Sequence, residues 1–187
     1  MSTQRESKKL GMWLFLVSDS LTFATMLICY VYSRIANPDW PRPFTFSPGI
    51  VTATVMTLIL LTSSLTMVLA VQAMKAANRR ATVGWLLATI AAGLGFIVLH
   101  TAEWQHLITT EKITPASNLF GATFFGLTGL HMLHVACGAI YLSVIAVGVA
   151  RDKFTAEDVE TSGIYWHFVD LEWMFIFPLV YLMSVKA

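Results

Sequence analysis

Five apolar stretches, each long enough to cross a bilayer, divide this chain of 187 residues and leave few fold classes open to it. A helix spanning about 30 Å of hydrocarbon needs roughly 20 residues at about 1.5 Å each. Only helices and closed barrels bond every backbone N–H and C=O inside the membrane. The runs at 10–34, 48–74, 82–107, 117–149 and 162–185 meet the helical length. The expected fold is therefore all-α, a polytopic membrane bundle of five transmembrane helices forming one unit over residues 1–187. Hydrophobic residues make up 56% of the chain and charged residues 12%, and the polar ones collect in short gaps. Those gaps suffice for connecting turns and an N-terminal stub, not for a separate soluble catalytic domain. The fourth run exceeds the hydrocarbon thickness, so it must tilt, protrude or be sheltered by protein.

Orientation follows from the distribution of lysine and arginine. Arg5, Lys8, Lys9, Lys75, Arg79, Arg80, Arg151 and Lys153 fall on one side, against Arg34, Arg42, Lys112 and Lys186 on the other. The side with more cations is read as cytoplasmic, which puts the N-terminus in the cytoplasm and the C-terminus in the periplasm. The first run continues for about 25 residues without a small-residue cleavage site and carries an acid, so it reads as a retained helix and not a signal peptide. Cys29 and Cys137 sit in apolar runs and read as small buried hydrophobes without a disulfide. Trp40, Phe44 and Phe46, set among Pro38, Pro41 and Pro43, suit an extended segment pressed on the membrane interface. The mixed-charge stretch 151–160 reads as a solvated turn that could dock on a partner's basic surface. A net charge of +1 gives no support to nucleic acid as a partner, and no internal repeat suggests an inverted-repeat transporter.

Four acids, Asp19, Glu103, Asp170 and Glu172, lie inside these apolar runs, where each needs a partner or a use. Glu103 and His106 are three apart, the Glu-x-x-His spacing of di-iron bundles, and so read as sharing one helical face. A complete di-iron site needs a second such pair and two further glutamates, which the chain lacks. His131 and His134 stack on one face near mid-membrane. They could ligate copper or haem iron, or else bond acids and carbonyls of neighbouring helices. His167 and Asp170 are also three apart, which favours an internal pair in the first two turns of the last helix, near the cytoplasm. Trp166 and Trp173 flank them. Glu172 stands within one turn of Asp170, so mutual repulsion would require a proton or a basic partner. Small residues such as Ala88 with Ala92 and Ala122 with Gly126 would admit close helix approach. No nucleotide loop, thiolate cluster or nucleophile with a base emerges.

The ordered series Gly11-Met-Trp-Leu-Phe-Leu-Val-Ser-Asp-Ser, Trp40-Pro, Ser63-Ser-Leu-Thr with Ala70, Gly95-Phe through Glu103-Trp, His131-x-x-His-Val-x-x-Gly, and Tyr165-Trp-His-Phe-Val-Asp with Trp173 resembles a known family. It is that of subunit III of haem-copper terminal oxidases, in the short form without the first two of seven helices. Such a resemblance implies a non-catalytic accessory subunit beside catalytic subunit I and other subunits such as subunit II, in a bacterial inner membrane. The assembly reduces oxygen to water and pumps protons. Its haems and copper are held by partner subunits, with no metal on this chain. It also implies structural phospholipid in a cleft, support of proton uptake, and protection of subunit I from inactivation during turnover. Two departures stand out: the family usually has glutamate at Asp19 and an aliphatic residue at Glu172. An accessory subunit of a nitric oxide reductase and a stand-alone proton-coupled carrier are the alternatives.

On this reading Asp19, Glu103, His131, His134, His167 and Asp170 form interhelical polar pairs that fix the bundle. His167, Asp170 and Glu172 would serve protons or a lipid headgroup.

Overall fold

The computed structural model describes residues 2–185, with side chains from Lys9 onward apart from Pro48. Lys186 and the side chains of Arg5 and Lys8, counted above for orientation, lie outside the described residues. Five helices carry the fold: α1 Ser2–Ala36, α2 Val51–Lys75, α3 Arg79–Thr109, α4 Leu119–Ala150 and α5 Ala156–Ile176. A π turn at Phe177–Tyr181 and a 3₁₀ turn at Leu182–Ser184 extend the last helix. All five segments are long and apolar enough to cross a membrane, over Lys9–Ala36, Val51–Lys75, Arg79–Thr109, Leu119–Ala150 and Ala156–Ser184. The chain is a multi-pass membrane protein.

Local chemistry sets the helix ends. The Asn78 side chain accepts from Ala81 N–H at 3.1 Å to start α3, and Asn118 accepts from Gly121 N–H at 2.7 Å to start α4. Thr155 and Asp158 open α5, the carboxylate accepting from both the Thr155 N–H and its hydroxyl at 2.9 Å. Helices α2, α3 and α4 each end near a left-handed residue, Ala77 (φ 57°), Lys112 (φ 56°) and Asp152 (φ 58°).

The fifth helix thus begins at Ala156, not near 162, because a capping box nucleates a polar first turn that hydropathy does not register. Much of the stretch read as a solvated turn is helix. The segment after α1 also departs from expectation. Phe46 is exposed, but Phe44 is buried against Phe120, Phe124 and Tyr181. Trp40 packs edge-on to Tyr30 and Phe120. The aromatic rings of the bundle end offer Trp40 and Phe44 closer packing than a lipid interface would. Cys29 and Cys137 are free but lie exposed on the outer surface, since apolar residues need not turn inward when lipid is the solvent.

Helices α2 to α5 form a closed set in which α2 packs on α3 and α5, and α4 on α3 and α5; α1 lies outside, against α4 and α5. Trp166 of α5 is the keystone. A Cβ added at Gly93 of α3 would stand 2.6 Å from its Cη2, and one at Gly138 of α4 would stand 3.0 Å from its Cζ3. The indole N–H donates to Ser63 Oγ of α2 at 2.9 Å. One side chain therefore touches three other helices. These glycines admit close approach inside the bundle, whereas Ala122 and Gly126 are exposed.

At one bundle end Tyr30 Oη and Arg34 Nη1 reach Ser184 Oγ at 3.0 and 3.3 Å, and Arg34 Nη2 donates to the Met183 carbonyl. At the other, Lys9 and Lys75 meet Glu160 at 3.4 and 4.0 Å, exposed pairs that contribute little.

Gly121 shows how tightly the turn between α3 and α4 is set: a Cβ there would lie 2.2 Å from the Thr114 carbonyl oxygen. Gly121→Ala is expected to destabilise the bundle by about 1–3 kcal/mol, because backbone must move. Gly126→Ala, whose nearest neighbour would be Met26 Cε at 3.7 Å, should stay within about 0.5 kcal/mol of the parent. Unfolding midpoints in mixed dodecyl sulfate micelles, followed by circular dichroism, compare the two.

Candidate functional site: intramembrane acids and imidazoles

Lipid offers the polar groups of the bundle interior no partner, so each turns to a carbonyl of its own helix, as Thr57 and Thr128 do, or to a group on another helix. His134 of α4 stands 3.2 Å from Asp19 of α1 through Nε2, while its Nδ1 faces the Leu130 carbonyl at 2.9 Å. A carbonyl only accepts, so Nδ1 carries a proton. Nε2 stands within ion-pair distance of Asp19 Oδ2, with no aligned hydrogen bond between them. Phe23 covers the imidazole edge-on at 5.4 Å.

His131, one turn away, is fully buried and turned to α5, where its Nε2–H donates to the Val169 carbonyl at 3.1 Å. The two histidines of the His-x-x-His pattern thus bond to different helices.

Glu103 of α3 is buried, and Oε2 accepts from the Tyr181 hydroxyl at 2.7 Å. His100 Nδ1 lies 3.7 Å from the same oxygen. His106 is exposed and contacts Thr110 Oγ1 at 3.3 Å, so the expected shared face of Glu103 and His106 is not formed. Three-residue spacing leaves an offset of about 60° around a helix. Here it places His106 on the outer surface, while His100, three residues earlier, turns inward.

The expected pair of His167 and Asp170 does not form either. His167 Nδ1 shares a 2.5 Å hydrogen bond with Ser64 Oγ of α2, and Asp170 is buried beside the same serine. Nor do these residues occupy the first two turns. Counted from Ala156, His167 lies about 17 Å and Asp170 about 21 Å along α5. Asp170 and Glu172, two apart, point to different sides of the helix, so the expected repulsion within one turn is not set up. Glu172 lines a cleft of about 240 Å³ between α1 and α5, with neither oxygen hydrogen-bonded.

Trp173 is fully buried among Phe96, His100, His131 and Tyr181, and its indole N–H donates to Thr57 Oγ1 of α2 at 3.0 Å. With Trp166 on Ser63, both tryptophans are core wedges spanning helices.

Sequence reasoning passed over His100, Tyr181, Thr57 and the bonding roles of Ser63 and Ser64. His100-x-x-Glu103 was as visible as Glu103-x-x-His106, but spacing alone does not say which imidazole turns inward. Among the described residues no group of three or more His, Cys, Asp or Glu side chains is placed to hold a metal ion.

These features define a five-span membrane protein whose interior polar groups link its own helices. The family model for cytochrome c oxidase subunit III matches residues 2–185. Cytochrome c oxidase subunit 3 of Alkalihalophilus pseudofirmus is 36% identical over 96% of this chain and 88% of its own length. The Bacillus subtilis protein of that name is 34% identical over 99% and 90%. Cytochrome bo(3) ubiquinol oxidase subunit 3 of Pseudomonas putida is 32% identical over 94% and 86%. The chain belongs to the cytochrome c oxidase subunit III family.

Proposed function

We propose that the chain is the non-catalytic accessory subunit of a bacterial proton-pumping haem-copper oxidase, seated beside catalytic subunit I with subunit II in the same assembly. The family match along residues 2–185 carries this reading. Its location is the cytoplasmic membrane. The N-terminus, the turn between α2 and α3 and the turn between α4 and α5 face the cytoplasm, a reading supported by eight cations against four. Electrons pass through haems and copper held by the partner subunits. The chain's own polar residues hold its helices in register: Asp19 with His134, Glu103 with Tyr181, His131 with Val169 and His167 with Ser64. That frame supports the catalytic subunit, carries phospholipid on its apolar flanks, and assists proton uptake at the cytoplasmic side. Relatives named for both cytochrome c and ubiquinol oxidases fit a subunit whose form is independent of the electron donor.

Purification through a tag on this chain in gentle detergent tests the reading. The expected result is co-purification of subunits I and II in equal amounts, with the absorption bands of a haem-copper oxidase. A colourless chain that moves protons alone in proteoliposomes would overturn it.

A further inference from the structure

The cleft between α1 and α5 is lined by Ser20, Phe23, Ala24 and Leu27 on one side and by Phe168, Leu171, Glu172 and Phe175 on the other. Glu172 is only 6% exposed, and neither of its oxygens has a hydrogen-bond partner. We infer that this cleft receives a transmembrane helix of a neighbouring oxidase subunit, which inserts a lysine or arginine side chain to pair with Glu172.

Neither oxygen meets a donor among the described residues, and a cation with several N–H groups would satisfy both the charge and the acceptors of the carboxylate. Among the described residues none supplies it, because their lysines and arginines lie in loops or near helix ends. The cleft is also far from either headgroup layer: Ser20 to Leu27 occupy the middle of α1, and Glu172 lies about 24 Å along α5. A lipid amine sits at headgroup depth. A long apolar stem ending in a cation, carried to mid-membrane on another helix, fits both the lining and the acid. Ser20 and Ala24, four apart on α1, leave room for a helix to approach closely. Asp19 of α1, whose Oδ2 faces His134 at 3.2 Å, is itself an acid and offers Glu172 no cation.

The inference rests on the chain being an oxidase subunit, and its test uses the purified assembly. Glu172→Leu should weaken retention of this chain on the haem-bearing subunits at least about thirtyfold in a detergent dilution series, as expected when one member of a buried pair is removed. The abundance of the variant chain in membranes should be unchanged. If that abundance falls, Glu172→Gln, which keeps the shape, is compared in its place. Benzoylphenylalanine at Phe175, which is 55% exposed beside the cleft, should cross-link to a transmembrane peptide bearing lysine or arginine within one helical turn of the adduct. Unchanged retention, adducts on lipid or quinone alone, or a cross-linked peptide without a nearby cation would overturn the inference. Failure of the wild-type chain to purify with haem subunits would refute the subunit reading itself.

Discussion

Trp166→Ala should lower the stability of the bundle by about 3 kcal/mol, near the lower end of the range for buried large aromatic residues. The lower end applies because lipid is as apolar as the core, so the loss is one of packing and hydrogen bonding and not of transfer from water. The side chain is fully buried, fills the space left by Gly93 and Gly138, and bonds Ser63, so its removal loosens α5 from α2, α3 and α4 together. Gly93→Ala drives a methyl to 2.6 Å from the indole and should cost about 1–3 kcal/mol by itself. Combined with Trp166→Phe it should cost less than the sum of the two, because the smaller ring vacates the contested volume. Unfolding midpoints of the four proteins give the coupling directly; strict additivity would mean that the indole is not wedged between these helices.

Tyr181→Phe should destabilise by about 1–3 kcal/mol although it removes a single oxygen. Among the described residues that hydroxyl is the only hydrogen-bond donor on Glu103 Oε2, and Oε1 has none. Without it a buried carboxyl is left with no partner in a setting that cannot hydrate it. Converting the acid as well, in Glu103→Leu with Tyr181→Phe, should recover most of the loss, because two apolar groups of similar shape leave nothing unsatisfied. A double variant weaker than Tyr181→Phe alone would point to His100, 3.7 Å away, as the more important neighbour of Glu103.

Spans and helix class were legible because lipid imposes both a length and full backbone bonding, and each expected run overlaps a helix. The beginning of α5 was not, since Ala156 to Glu160 is polar and its order comes from Thr155 and Asp158 capping one another. Of the expected site residues, Asp19 and His134 stand 3.2 Å apart across the seam of α1 and α4, a partnership that no spacing within one helix specifies. His167 and Asp170 were misjudged as a pair because equal spacing on one helix says nothing about what the next helix presents; α2 presents Ser64. Tyr181 lay beyond the reach of any pattern. It meets Glu103 from 78 positions away, through a π turn that re-aims the end of α5 after Pro178.

The placement of α1 bears on how the protein is made. It packs chiefly on α4 and α5, and its far end is tied by Tyr30 and Arg34 to Ser184 and Met183 near the other terminus. The hairpin of α2 and α3, joined by a turn of three residues, can close as soon as both have left the ribosome. Helix α1 must instead wait in lipid until α4 and α5 have been inserted, with Asp19 unanswered until His134 arrives. Through most of translation that acid is what an insertase or a waiting neighbour would encounter.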